Sequence, residues 1–257
     1  MISNDAIVEW RGRVGFARSE QVEQDLVLSR LIVEIANDDL LGEELIFRGG
    51  TCLHKLHLAK ALRYSEDLDY VRSTNSAIGP IFDRLRLIAT DVGMQFNTEV
   101  GRHPKALFRA PFEEGLGRMK VKIEMNTYEA SPTTSPVRVP FSVSSRWWSG
   151  SANVKTFALP ELVSTKIRAL YQRRKGRDLF DLWLALTQLK VDPVEILAAF
   201  VAYRPDNYTS TLAIETLTAH IANPSFRADA ENMALVVTDY NVDDAAELIV
   251  QSLLRHV

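Results

Sequence analysis

A single cysteine, Cys52, in 257 residues excludes a disulfide framework and any zinc or iron–sulfur centre built from several thiolates. Long hydrophobic runs are missing too. Nothing approaches the ~18 consecutive apolar residues of a membrane helix. The N-terminal stretch MISNDAIVEWRGRVG lacks the apolar core of a signal peptide. A reducing cytoplasm and no membrane partner are the expectation. No internal repeat and no low-complexity tract interrupts the chain. Neither sign of charge dominates, since 30 Lys and Arg against 33 Asp and Glu leave a net charge of −3. What is present is an ordinary globular composition, 46% hydrophobic, long enough to bury the core of one large domain or two small ones.

The charge is unevenly placed. Residues 191–257 carry ten acidic and three basic residues, whereas residues 102–177 carry fifteen basic and five acidic. A basic middle inside a slightly acidic whole fits a positively charged face for a polyanion such as RNA or nucleotide phosphates. A solvated cluster of lysines and arginines has the same signature.

The organisation changes near residue 159. Apolar residues at three- and four-residue spacing predict a helix over Ser19–Asn37. A short strand at Leu45–Arg48 follows, broken by Gly49-Gly50, then a helix over Thr51–Ala59 with Thr51 as its N-cap. A strand at Asp67–Val71 and a helix over Ser76–Val92 come next. Strands are then expected at 95–100, 120–127, 137–143 and 154–159, separated by Gly and Pro. After Pro160, suited to a first helical turn, the pattern is helical to the end, with helices near 178–189, 193–202, 211–221 and 243–255. The pattern predicts an α+β domain over residues 1–159 and an all-helical domain over residues 160–257.

The segment RGGTCLHKLHLAKALRYSEDLDYV, beginning at Arg48, carries the strongest chemical signal. Two glycines between a strand and a helix let a backbone approach a phosphate, and the helix start offers free N–H groups. Asp67 and Asp69, two apart in a strand, project to one face. Adjacent carboxylates repel unless a cation sits between them, and hard oxygen donors suit Mg²⁺ or Mn²⁺. A solvated acidic strand edge has the same pattern. In the string KVKIEM, from Lys120 to Met125, Glu124 and Lys122 share the polar face of another strand. Glu124 on a neighbouring strand completes a three-carboxylate set with Asp67 and Asp69, with Lys122 placed for phosphate or charge balance.

The order of glycine-glycine-Thr after a strand, D-x-D, and one acid in a hydrophobic strand resembles the DNA-polymerase-β-like nucleotidyltransferase superfamily. The fuller strings RGGTCLHK, RYSEDLDY and LVSTKIRALYQRRKGRDLFDLWLAL, spanning about residues 45–190, resemble the AbiEii/AbiGii toxin family of bacterial toxin–antitoxin and abortive-infection systems. The resemblance implies a polymerase-β-like domain with a mixed sheet followed by a helical domain. It also implies an NTP substrate, two divalent cations (Mg²⁺ or Mn²⁺), a cognate antitoxin, and an RNA acceptor, foremost the tRNA 3′ end, whose modification blocks translation. Asp67, Asp69 and Glu124 then hold the metals, and Gly49, Gly50 and Thr51 the phosphates. Lys166 meets the triphosphate, Asp178 or Asp181 arranges nucleotide and lysine, and Arg63 and Ser65 lie near the phosphate.

Local physics offers other readings for several of these residues. Gly176 fits a helix stop and Asp178 a helix cap, with the basic run 173–177 as a solvated turn complementing a helix dipole. Asp178 and Asp181, three apart, share a helix face. Arg63 also suits a surface ion pair. His54 and His57 are spaced to share a metal but lack a third ligand nearby in sequence. Trp147 and Trp148 suit either base stacking or the core, and Cys52 is a small buried residue. Two further function classes share this sequence: a transferase acting on a protein or small-molecule hydroxyl, and a non-catalytic nucleotide- or RNA-binding module.

Overall fold

A computed structural model describes residues 2–60, 62–113, 117–127, 132–233 and 239–257. The chain divides into two compact units, Met1–Phe157 and Ala158–Val257.

In the first unit the order is α1 (Asn4–Val14), α2 (Ser19–Asn37), α3 (Leu41–Glu44), β1 (Leu45–Arg48), α4 (Gly49–Leu56), β2 (Asp67–Arg72) and α5 (Gly79–Val92). Then come β3 (Gln95–Glu99), β4 (Lys105–Pro111), β5 (Arg118–Asn126), β6 (Val137–Ser144) and β7 (Ser149–Thr156). The seven strands form one sheet in the order β3-β4-β5-β2-β1-β7-β6. Strand β2 runs parallel to β5 and β1 parallel to β7, while the other neighbours are antiparallel. The sheet is therefore mixed, as the resemblance implies. Its core includes Leu68 and Tyr70 of β2, Ala106 and Phe108 of β4, and Val121, Ile123 and Met125 of β5, all buried. Helix α2 occupies the span its periodicity predicts and buries Leu26, Leu28, Leu31, Ile32 and Ile35.

Two buried polar arrangements fix the helix that carries the glycines. Lys55 of α4 donates to Asp25 (2.6 Å) and Ser29 (2.9 Å) of α2, and Trp10 of α1 donates its indole N–H to the same Asp25 (2.8 Å). On the other side Cys52 lies 3.1 Å from the Thr156 hydroxyl of β7, which itself donates to the Phe47 carbonyl (2.8 Å). A buried charge needs such pairing to offset its desolvation, so α4 is held against both α2 and the sheet.

Several expected boundaries move for physical reasons. Helix α4 begins at Gly49 rather than Thr51, with Arg48 in the cap position. Thr51 does not cap it; its hydroxyl donates to the Asp67 carbonyl (2.7 Å) and so ties α4 to β2. Strand β7 starts at Ser149, earlier than the β-branched run suggests, and includes Gly150, where a Cβ would lie 2.4 Å from the Trp148 ring. Trp147 and Trp148 bracket Arg30, whose guanidinium lies 5.0 and 5.3 Å from their ring centres. That cation–π contact occupies both rings within the fold.

The second unit contains α6 (Leu159–Gln172), α7 (Gly176–Thr187), α8 (Pro193–Phe200), α9 (Ser210–Ile221), α10 (Pro224–Met233) and α11 (Val242–Ser252). Gly176 does not stop α6, which ends at Gln172; it opens α7. A Cβ on Gly176 would sit 2.4 Å from the Phe226 carbonyl oxygen and 2.5 Å from the Ala230 nitrogen, so the glycine permits the close approach of α10. Asp229 of α10 accepts from the Arg177 backbone N–H (3.2 Å), satisfying one of the free donors at the start of α7. No helix among the described residues is long and apolar enough to cross a membrane.

Candidate active site

Strand pairing brings the acidic residues together. Asp67 lies opposite Lys122 and Asp69 opposite Glu124 in the parallel β2–β5 register. Alternation along β5 leaves Lys120, Lys122 and Glu124 accessible while Met119, Val121, Ile123 and Met125 are buried. Both strands thus turn their charged positions to one face, because period-two burial commits the apolar positions to the other.

Lys122 is the cation at the centre. Its Nζ lies 3.1 Å from Asp67 Oδ2 and 3.3 Å from Glu124 Oε2, and Lys105 Nζ approaches Glu124 at 3.7 Å. Burial alone would lower the Lys122 pKa, but the hydrogen bonds and charges of Asp67 and Glu124 outweigh it and hold the ammonium above the usual lysine value. The Asp69 pKa is raised too, which disfavours its charged form. Burial raises its pKa, Arg48 opposes this, and the neighbouring charges of Asp67 and Glu124 raise it further. Excess negative charge of this kind is what a divalent cation relieves. As placed, no three His, Cys, Asp or Glu side chains among the described residues form a metal-binding group, at His54 and His57 or elsewhere. The donor chemistry of Asp67, Asp69 and Glu124 nonetheless fits Mg²⁺ or Mn²⁺: three hard carboxylates on adjacent strands, two of them already paired with Lys122.

The glycine turn abuts this cluster from the β1 side. Gly49 has φ +83°, and a Cβ on it would lie 2.6 Å from Asp69 Oδ2. Only glycine permits both the left-handed conformation and that proximity. The start of α4, with its free N–H groups, is thereby set beside Asp69, while Thr51 is 5% exposed and engaged with the Asp67 carbonyl. Arg63 is buried rather than on the surface; its guanidinium donates to the Ser65 hydroxyl (3.1 Å) and more weakly to the Tyr64 carbonyl (3.4 Å).

In the helical unit, Lys166, Asp178 and Asp181 form a buried cluster. Lys166 Nζ lies 2.7 Å from Asp181 Oδ2 and 3.6 Å from Asp178 Oδ1, and the two aspartate side chains have no solvent exposure. Arg173 closes the other side of Asp178 with two hydrogen bonds, Nε to Oδ2 (2.7 Å) and Nη2 to Oδ1 (2.8 Å). Asp178 therefore binds the α6–α7 turn through a bidentate pair rather than by capping a helix with its side chain. Arg173→Glu is expected to destabilise the protein by about 2 kcal/mol or more, since it removes two charge-assisted hydrogen bonds and sets an acid beside a buried one. Urea denaturation measures this; unchanged stability would mean Arg173 serves only the surface.

Sequence reasoning did not single out Lys105, which pairs with Glu124, because its strand β4 was not foreseen. Nor did it single out Arg48, although that residue immediately precedes the glycines.

The chain is similar in fold to JHP933 from Helicobacter pylori, at 14% identity over 94% of each chain with a TM-score of 0.52. It also aligns with MenT4, a nucleotidyltransferase toxin from Mycobacterium tuberculosis H37Rv, at 17% identity over 97% of this chain and 94% of that one, with a TM-score of 0.49. No curated protein sequence matches it. Residues 30–248 match the family described as nucleotidyl transferase AbiEii toxin, type IV TA system. Covering most of the 257 residues, and with its glycine turn and acidic strands in the expected order, the chain belongs to the AbiEii toxin family and is a nucleotidyltransferase.

Proposed function

We propose that this toxin transfers a nucleotide from an NTP to a hydroxyl of RNA, foremost at the 3′ end of tRNA, in a metal-dependent reaction. The observation that carries the reading is the Asp67–Asp69–Glu124 set, registered on adjacent parallel strands and abutted by the glycine turn. Divalent cations held by these carboxylates would supply charge neutralisation and an activated acceptor oxygen. The chain itself does the positioning. Backbone N–H groups at Gly49, Gly50 and Thr51 bind the phosphates, with Lys122 on the same face as the carboxylates for charge balance. Arg63 holds Ser65 near the phosphates. The acceptor hydroxyl gives up its proton to solvent as its oxygen bonds to the α-phosphorus, the bond from that phosphorus to the bridging oxygen breaks, and pyrophosphate leaves with the electron pair. Lys166, with Asp178 and Asp181, belongs to the nucleotide-binding machinery in this proposal. A transfer that caps the tRNA 3′ end prevents aminoacylation and so stops translation.

Purified protein incubated with labelled NTP, Mg²⁺, total tRNA and cell protein tests the reading. Label is expected in RNA, and label in protein instead overturns the acceptor. In cells, induction of the protein without its antitoxin is expected to arrest bacterial growth, and Asp67→Asn to remove the arrest. Harmless overexpression in a host lacking the antitoxin would count against translation block.

A further inference from the structure

We propose, resting on the nucleotidyl-transfer reading above, that the acceptor enters along the cationic face of β4 and β5, where a single-stranded polynucleotide lays its phosphates beside Asp67.

Strand register gathers the cations. In the antiparallel β4–β5 pair, Lys105 faces Glu124 and Arg109 faces Lys120, and directly opposed residues share a face. Together with Arg118 and Lys122, each two residues from Lys120 along β5, five cations line this face. Lys122 and Lys105 are engaged with the carboxylates. Arg118 donates to the Gln95 side chain (2.7 Å) and is exposed. Among the described residues, Lys120 and Arg109 form no side-chain hydrogen bond or ion pair that competes for a ligand. A row of cations on a sheet face, with Lys120 and Arg109 left to meet a ligand, is the electrostatic footprint of a phosphodiester backbone.

The face opens into a cleft of about 460 Å³. Strand β2 pairs with β5 only from Asp67 opposite Lys122 onward, so the earlier part of β5 borders this space. Arg18, Arg118 and Lys120 line it, and so do two aromatic rings, Tyr64 and Phe112, and Asp67 itself. Acids are present also: Glu66 lines the cleft, and Glu20 pairs with Arg18 at 3.6 Å. Half-buried aromatics among cations suit unstacked bases, whose π-faces are read without regard to sequence.

Position decides between acceptor and NTP. In-line displacement at phosphorus sets the attacking and leaving oxygens on opposite sides. The glycine turn lies on the β1 side of β2, beside Asp69, and the cationic face lies on the β5 side, beside Asp67 and Glu124. With the NTP phosphates at the glycines, the opposite approach belongs to the acceptor.

The test uses the full chain, a single-stranded oligoribonucleotide with a free 3′ hydroxyl, and a non-hydrolysable NTP analogue. For Arg109→Ala/Arg118→Ala/Lys120→Ala, RNA affinity is expected to fall at least about tenfold, and the slope of log affinity against log salt to flatten by about 2, for three lost phosphate contacts. Affinity for the NTP analogue and the thermal midpoint are expected to stay unchanged. Lys120→Glu alone, at an exposed position, is expected to weaken RNA binding in the same direction and covers the case of a misfolded triple variant. Lost NTP affinity with RNA affinity intact would make the cleft a nucleotide pocket and overturn the proposal. Unchanged RNA affinity and slope, or a wild type that binds no RNA, would also overturn it. A wild type that binds RNA through these residues but transfers nothing to it leaves the docking face standing and refutes the transfer reading instead.

Discussion

Asp67→Asn and Asp69→Asn are expected to abolish nucleotidyl transfer while the protein stays folded. Each change keeps the side-chain shape and removes one of the charges gathered on the β2–β5 face. If the proposed metal-dependent transfer holds, transition-state charge on the transferring phosphoryl group then lacks its neutralising cation, and a loss of at least ~10³-fold, on the order of 4 kcal/mol, follows. Stability is expected to move little, and for Asp69 upward. Burial holds the Asp69 pKa above its ordinary value, and the charges of Asp67 and Glu124 add to this. A neutral amide therefore relieves a cost of the folded state at neutral pH. At Asp67 the lost partner is Lys122, at 3.1 Å in a pair more than a quarter exposed on each side, and such pairs contribute little. Turnover with labelled NTP and thermal melting decide the matter together. Wild-type transfer at saturating Mg²⁺ by either variant would remove that carboxylate from the metal set. A large drop in melting temperature would instead make it structural.

The acidic set was legible because strands announce themselves by a period of two. Asp67-Leu68-Asp69 and Lys122-Ile123-Glu124 each alternate polar with apolar, and that alternation fixes which face each side chain takes. Strand β4 gave no such signal. Ala106, Leu107 and Phe108 are consecutive and all buried, so the run has no alternation to read. With β4 unseen, the row from Lys105 to Arg109 had no place in the site. The segment 224–233 escaped for a related reason: PSFRADAENM has few apolar residues, of which Phe226 and Ala230 are buried, and no periodicity stands out. Gly176 was legible as special but not in its role. A glycine after a basic run fits a helix end, whereas its close approach to Phe226 and Ala230 depends on a helix some fifty residues away in sequence. Local chemistry tells that a glycine is needed, and only packing tells why.

Lys166 shows the same limit, and the sequence alone would have let its removal spare the fold. The structure makes a different outcome expected. Lys166 is 3% exposed and lies between two fully buried aspartates, closest to Asp181 at 2.7 Å. Taking away one partner of a buried pair leaves an uncompensated charge, at a cost of about 3–5 kcal/mol. Lys166→Ala is therefore expected to destabilise the protein strongly, and its loss of activity by itself says nothing about chemistry. Lys166→Met combined with Asp181→Asn separates the two roles. Replacing both members of a buried ion pair by neutral groups of similar size is close to neutral for stability, while Arg173 still holds Asp178. The double variant is expected to melt near wild type and yet to transfer nucleotide at least ~10²-fold more slowly, as befits loss of a charged contact to the triphosphate. Calorimetry sets the first half of that expectation and single-turnover kinetics the second. Near-normal turnover in the refolded double variant would make the Lys166–Asp181 pair a purely structural clasp between α6 and α7.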